Sequence, residues 1–334
     1  MELKKTNTLF LIISVVILLL IIMVVHYRKK SEVGYDLKDF AFEDTASITK
    51  IFMVNKDNLK ILLERKTNFW VVNGKYKART DAINNLLDVI ASMEIKAPVP
   101  STAFEQVVKL LATRSTKVEI YTKKGKVKSY YIGEPTPSYL GNYMILENST
   151  KPYIVHKPGF TGYISVRFFL DESEWRSTRI FEIPISHLFS IEIIDYEYKN
   201  SYKIIFKSIN DMSFLLNNSV ITQFDTLTLK LITKKILTSN VDRWTPEINF
   251  KIDSLKRTAP YIEIILKSIK NEKYKITLYR MPNIKQLLNS NGVPFEYDPD
   301  LIYGVVNDTN LSICQYFVFD EIILPLRNLK YLKK

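Results

Sequence analysis

Ser115-Thr116-Lys117-Val118-Glu119-Ile120-Tyr121 alternates apolar and polar residues, and a matching run returns at Ala259-Pro260-Tyr261-Ile262-Glu263-Ile264-Ile265. A period of two puts Val118 and Ile120 on one face of a strand, and Ile262 and Ile264 likewise. Each run is followed by a partner strand, 127–132 after a turn at Lys124-Gly125 and 274–279 in the later stretch, which makes two hairpins. Each hairpin then reaches a proline, in Gly133-Glu134-Pro135 and in Arg280-Met281-Pro282.

The surroundings repeat as well. Strands are expected at 47–54, 59–65 and 69–73, then a helix at 80–93 with Ile83, Leu86, Leu87, Ile90 and Met93 at helical spacing. A second helix at 101–112 carries Phe104, Val107, Val108 and Leu111, and a hairpin of 143–147 with 152–156 closes the half. The later half reads as strands at 189–196, 202–206 and 212–216. A helix at 223–236 follows, with Phe224, Leu227, Leu231 and Ile232 as its stripe, then a shorter helix at 249–256. A hairpin of 302–306 with 312–318 ends the chain. Residues 283–299 are extra in the second copy. The expected fold is α+β: two similar mixed lobes of antiparallel hairpins with helices packed on one face, an internal duplication. The first lobe covers 47–165, a junction 166–188, and the second lobe 189–334.

Before the lobes comes an uncharged run from Thr6 to Val25, apolar from Leu9 to Val25 except for Ser14. At 1.5 Å per residue it gives roughly 30 Å of helix, about one hydrocarbon core. No small-x-small site follows it; His26-Tyr27-Arg28-Lys29-Lys30 does, so it reads as an uncleaved anchor rather than a signal peptide. Residues 1–30 are the anchor with its flanks and 31–46 a stalk, whose end packs on the body through Phe40 and Phe42. Lys4 and Lys5 on one side nearly balance Arg28, Lys29 and Lys30 on the other, so charge alone leaves the orientation open.

The net charge is +12, from 47 basic and 35 acidic residues. Residues 1–30 hold five bases and one acid, which leaves 42 basic and 34 acidic residues, or +8, for the body. No nucleic-acid motif accompanies that charge. A single cysteine, Cys314, excludes an intrachain disulfide and any zinc site needing two cysteines from this chain. His26, His156 and His187 stand apart, with no HExxH spacing. GxSxG, GxxxxGK[ST] and GxGxxG are absent, and nine glycines leave little for a phosphate loop. No cofactor, metal site or catalytic residue is expected, and the chain does not read as an enzyme. Aromatic and charged residues near the junction, Phe160, Tyr163, Trp175 and Arg176, are the candidate partner-binding positions.

Five stretches resemble an uncharacterised membrane-anchored family of the Bacteroidota, known as domain-of-unknown-function family 4340. They are Glu43-Asp44-Thr45-Ala46-Ser47-Ile48-Thr49-Lys50-Ile51-Phe52, Trp70-Val71-Val72-Asn73-Gly74-Lys75-Tyr76-Lys77-Ala78-Arg79, residues 115–122, Val155-His156-Lys157-Pro158-Gly159-Phe160-Thr161-Gly162-Tyr163, and Glu174-Trp175-Arg176. The resemblance covers residues 35–185 well and the second half weakly. It implies a single inner-membrane anchor with the body in the periplasm, and an auxiliary role beside a gliding-type ABC transporter, with a protein partner in or on the membrane. It carries no catalytic residues. Export in that phylum further implies O-glycosylation at Asp-Ser/Thr-apolar triplets, with Thr45 in Asp44-Thr45-Ala46 as the candidate. The expected function is an accessory or scaffold protein of an envelope machine. The alternative is a periplasmic binding module for an anionic ligand (lipid, glycan or peptidoglycan), suggested by the +8 body and 20 tyrosines.

Overall fold

The computed structural model describes residues 17–18, 36, 38–208, 210–245 and 249–328. The expected anchor from Leu9 to Val25 lies outside the described residues except for Ile17 and Leu18. No helix among the described residues is long and apolar enough to cross a membrane. By its contacts the chain divides into two units. One is the chain up to Asn68 with Asp81–Leu170; the other is Phe69–Thr80 with the chain from Asp171 on.

In chain order the first stretch forms β1 (Ile48–Val54), β2 (Lys60–Arg65), β3 (Trp70–Val72), β4 (Tyr76–Lys77), α1 (Thr80–Ser92), β5 (Glu94–Pro98), α2 (Phe104–Arg114), β6 (Thr116–Thr122), β7 (Gly125–Pro135), β8 (Asn142–Leu146) and β9 (Tyr153–His156). A short helix, α3 (Glu172–Trp175), follows. The second stretch forms β10 (Leu188–Asp195), β11 (Asn200–Phe206), β12 (Met212–Leu216), β13 (Ser219–Ile221), α4 (Thr226–Thr238), β14 (Arg243–Trp244), α5 (Asn249–Lys256), β15 (Ile262–Ser268), β16 (Lys273–Pro282), β17 (Tyr297–Val306), β18 (Asn310–Gln315) and α6 (Tyr316–Arg327).

Two nine-stranded antiparallel sheets result, in the orders β4-β3-β2-β1-β6-β7-β8-β9-β5 and β13-β12-β11-β10-β15-β16-β17-β18-β14. Strand for strand the orders are the same, and one bulge recurs at the equivalent place. β1 slips against β6 between Ile48 and Lys50, and β10 slips against β15 between Leu188 and Ser190. Ile51 therefore corresponds to Ile191. Across the sheet Ile51 faces Ile120 and Ile191 faces Leu266, so Val118 corresponds to Ile264, not to Ile262. The sequence rhyme is displaced by two residues. A shift of two keeps every side chain on its own face, so alternation cannot detect it. The prolines do correspond: Pro135 pairs with Asn142 and Pro282 with Tyr297, each beyond a bulge at the end of its ladder.

The helices take both faces of the second sheet, which corrects the expectation of one covered face. Ile276, Leu278, Ile302 and Cys314 pack with α4 and α6 through Ile232, Ile236, Phe319 and Ile322. Their neighbours Tyr279, Met281, Tyr303 and Val305 point the other way and pack on Ile252 and Leu255 of α5. Consecutive buried residues in β16, from Ile276 to Tyr279, follow from this double cover. In the first unit Val107 and Leu111 of α2 likewise cover Tyr143, Ile145 and Ile154, whereas Met144 and Val155 are buried on the opposite side of their strands.

Two helices differ from expectation. In α4 the buried residues are Leu229, Ile232, Thr233 and Ile236, while Leu227 and Leu231 are exposed. Asp225 sets the start by accepting from the backbone N–H groups of Leu227 and Thr228 at 2.9 and 3.2 Å. Apolar residues lie on two sides of this helix, so the pattern alone does not choose the buried one. α6 replaces the end of the expected strand 312–318. Tyr316, Phe317, Val318 and Phe319 favour strands, yet burial of Phe319, Ile322, Ile323 and Leu326 holds them in a helix. The end of the expected stalk joins the first core: Phe40 is fully buried, edge-on to Tyr130 and Tyr153 at 6.1 and 6.2 Å.

Candidate functional site

Between β16 and β17 the chain runs out as an arm, 283–296, where the equivalent link between β7 and β8 is only 136–141. The arm closes on itself. Phe295 N donates to Leu287 O at 3.0 Å, Asn289 N to Val293 O at 2.9 Å, and Leu288 bridges Pro294. Gly292 turns the tip with φ +75°. Asn289 Oδ1 accepts from Asn291 N and Val293 N. At the base, the Asn283 amide donates to Leu287 O and Phe295 O at 2.9 Å each, and its oxygen accepts from Leu287 N at 2.8 Å. This ordered hairpin presents apolar side chains to solvent: Ile284 is 78% exposed, Leu288 57%, Val293 55% and Phe295 39%. Clustered exposure of this kind marks an interaction surface, whereas scattered apolar residues do not.

Beside the arm's base lies a groove of about 720 Å³ lined by Tyr196, Tyr261, Tyr297, Arg280, Pro282 and Ile284. The Arg280 guanidinium lies 4.8 Å from the Tyr261 ring and 5.1 Å from Tyr297. It is paired with Glu197, which also accepts from Arg327 Nη2 at 3.0 Å. Burial raises the Tyr196 and Tyr261 phenols above their ordinary values. The charges here are compensated and the aromatic rings are fixed. Such a surface suits binding of an apolar segment with polar edges.

The four positions singled out from sequence divide between the units. In the first unit Phe160 is half-buried with the Arg167 guanidinium 6.0 Å from its ring, and the Tyr163 ring lies 5.9 Å from that of Tyr139. In the second unit Trp175 is fully buried. Arg176 is held between Trp244 and Tyr76, 3.4 and 3.9 Å from the ring centres, and burial lowers its pKa below the ordinary arginine value. Thr45 opens a single 3₁₀ turn, Thr45–Ser47, and its carbonyl accepts from Arg65 Nη2 at 2.7 Å.

His156 lies in β9, its pKa lowered by burial and by the nearby Lys96. His187 ends the turn before β10. No three His, Cys, Asp or Glu side chains gather as metal ligands among the described residues. Cys314 is fully buried and its thiol is pushed up to about 12, mainly by burial.

The sequence reading found the insertion but not its exposed apolar face or the tyrosine groove. An extra segment containing Ile284, Leu287, Leu288, Val293 and Phe295 inside a repeated plan was the available signal. The stacking of Arg176 had none, because Tyr76 and Trp244 lie far from it in the chain. No family model matches this chain, and neither a curated protein nor a solved structure shows significant similarity to it.

Proposed function

We propose that the chain is a single-pass, membrane-anchored accessory or scaffold protein of a cell-envelope assembly, with its body in the periplasm and a transporter-type membrane complex as its partner. The single observation that carries this reading is the arm at 283–296. It is an ordered hairpin, present in only one of two similarly built units, that exposes four large apolar side chains beside an aromatic groove. A repeated fold with one copy elaborated in this way fits a scaffold that docks a partner through the elaborated copy, and a duplication is its simplest origin. The uncharged run from Thr6 to Val25 supplies the anchor. The resemblance of residues 35–185 to an auxiliary membrane family supports the same reading. The partner surface is apolar protein, because Ile284, Leu288, Val293 and Phe295 offer shape and apolar area without a cluster of charge.

A photo-crosslinking side chain at Val293 in the full-length protein, in native membranes, tests this. The control places the same group at Val220, exposed in the same unit. The expected result is one adduct of defined mass with a membrane protein, formed from Val293 and lost in Leu288→Asp. Equal labelling from Val293 and Val220 overturns the reading.

A further inference from the structure

Arg176 belongs to the second unit, as do the residues around it. Its guanidinium lies face-on to Trp244 at 3.4 Å and to Tyr76 at 3.9 Å. Nη1 donates to Asn310 Oδ1 at 3.1 Å. Trp244 is fixed in turn by its Nε1, which donates to Ser177 O at 2.9 Å. Among the described residues no carboxylate forms an ion pair with Arg176. Against the larger effect of burial, which lowers the Arg176 pKa, Glu172 raises it through its charge, and the Glu172 Oε2 accepts from Asn73 Nδ2 at 2.6 Å.

A guanidinium has five N–H donors in one plane. Two aromatic rings pack on the guanidinium, and Asn310 takes one donor at its edge. The remaining edge borders a cavity of about 420 Å³, lined also by Lys75, Glu172, Ser173, Thr245 and Thr309. Lys75 is exposed at the rim. Among the described lining residues the two cations Arg176 and Lys75 outnumber the one carboxylate, Glu172, so an anion is the ligand that balances the cavity. The complement of a forked planar donor set is a group with two oxygens in one plane. The volume falls within the range of small-molecule sites, about 300–1,000 Å³.

We propose that this cavity binds a small oxyanion group, a carboxylate or a phosphate, on the free edge of Arg176, with Lys75 as the second positive charge. The site shares no residue with the arm or its groove, so it stands or falls separately from the accessory reading.

The test is calorimetric titration of the detergent-solubilised full-length protein with inorganic phosphate and, separately, with acetate, at constant ionic strength. Saturable binding of at least one probe, in the millimolar range or tighter, is expected. Arg176→Lys keeps the charge but loses the fork and the stacking, and weakens binding at least about tenfold. Lys75→Ala weakens it several-fold. Saturation by phosphate alone assigns a phosphate group, and by acetate alone a carboxylate. Failure of both probes to saturate overturns the proposal, as does binding unchanged in the substituted proteins. If Arg176→Lys does not fold, Lys75→Ala, at an exposed position, decides.

Discussion

Arg327, the last residue of α6, donates to the fully buried carboxylate of Asp195 through Nε at 2.7 Å and Nη2 at 3.2 Å. Asp195 follows Ile191 and Ile193 on the inward face of β10. At the corresponding position of the first unit stands Asn55, in a turn where its side chain accepts from Leu59 N. The buried acid and the terminal helix are thus features of the second unit together. Burial works against the Arg327 charge, yet the bond to Asp195 holds its pKa above the ordinary value. Removing one partner leaves a buried uncompensated charge. Arg327→Met is expected to destabilise the second unit by about 3–5 kcal/mol in urea unfolding. Asp195→Leu combined with Arg327→Met recovers most of that loss. Equal instability of the single and double variants would show that the pair is not the cause.

How much was legible in the sequence follows from which forces are local. Alternation and turn residues located the long central strands, because each buries one or both faces along its whole length. Short edge strands such as β14, only Arg243 and Trp244, carry no period to read and exist through pairing with β18. The helix at 316–327 was missed because its local preference is for strand and only packing overrides it. The same limit applies to the sites. Arg176 was visible as a charged residue beside a tryptophan, but Tyr76 and Trp244 reach it only through the fold.

In the first unit, Glu147 accepts from Lys117 Nζ at 2.7 Å and Lys126 Nζ at 2.8 Å. The Lys117 hydrogen bond first, then that of Lys126, lowers the Glu147 pKa to about 2, against a smaller opposing effect of burial. A depressed folded pKa gives stability that is fully present above the ordinary glutamate value, about 4.3, and is lost as pH falls toward 2. The side chain is 26% exposed, so screening leaves about 1–2 kcal/mol. Urea midpoints measured from pH 5 down to pH 2 should fall less steeply in Glu147→Gln than in the native protein. Parallel curves would remove this pair as a source of acid sensitivity.

Cys314 should resist thiol reagents. Full burial and a thiol pKa of about 12 leave almost no accessible thiolate at pH 8. Alkylation by iodoacetamide is expected only as fast as the second unit opens, and at once in denaturant. The same spot predicts a packing cost. A Cβ on Gly304 would lie 2.8 Å from Cys314 Sγ, 2.8 Å from Ser312 Oγ and 3.0 Å from Ile276 Cδ1. Gly304→Ala should therefore cost about 1–3 kcal/mol and speed alkylation. Rapid labelling of the native protein would contradict the buried placement.

Asn283 separates the order of the arm from the stability of the body. Its three side-chain hydrogen bonds join the two ends of the hairpin at Leu287 and Phe295, while Ile284, Leu288 and Val293 remain exposed. Replacing those apolar residues removes little buried area, so Leu288→Asp should leave the melting temperature within about one degree of native. Asn283→Ala instead frees backbone groups at the base and loosens the arm without touching the core. Limited proteolysis should then cut within 283–296 several-fold faster, with the urea midpoint of the second unit unchanged. A drop in that midpoint would mean that the arm is part of the folded core. Its exposed residues would then lose their standing as a surface free to dock a partner.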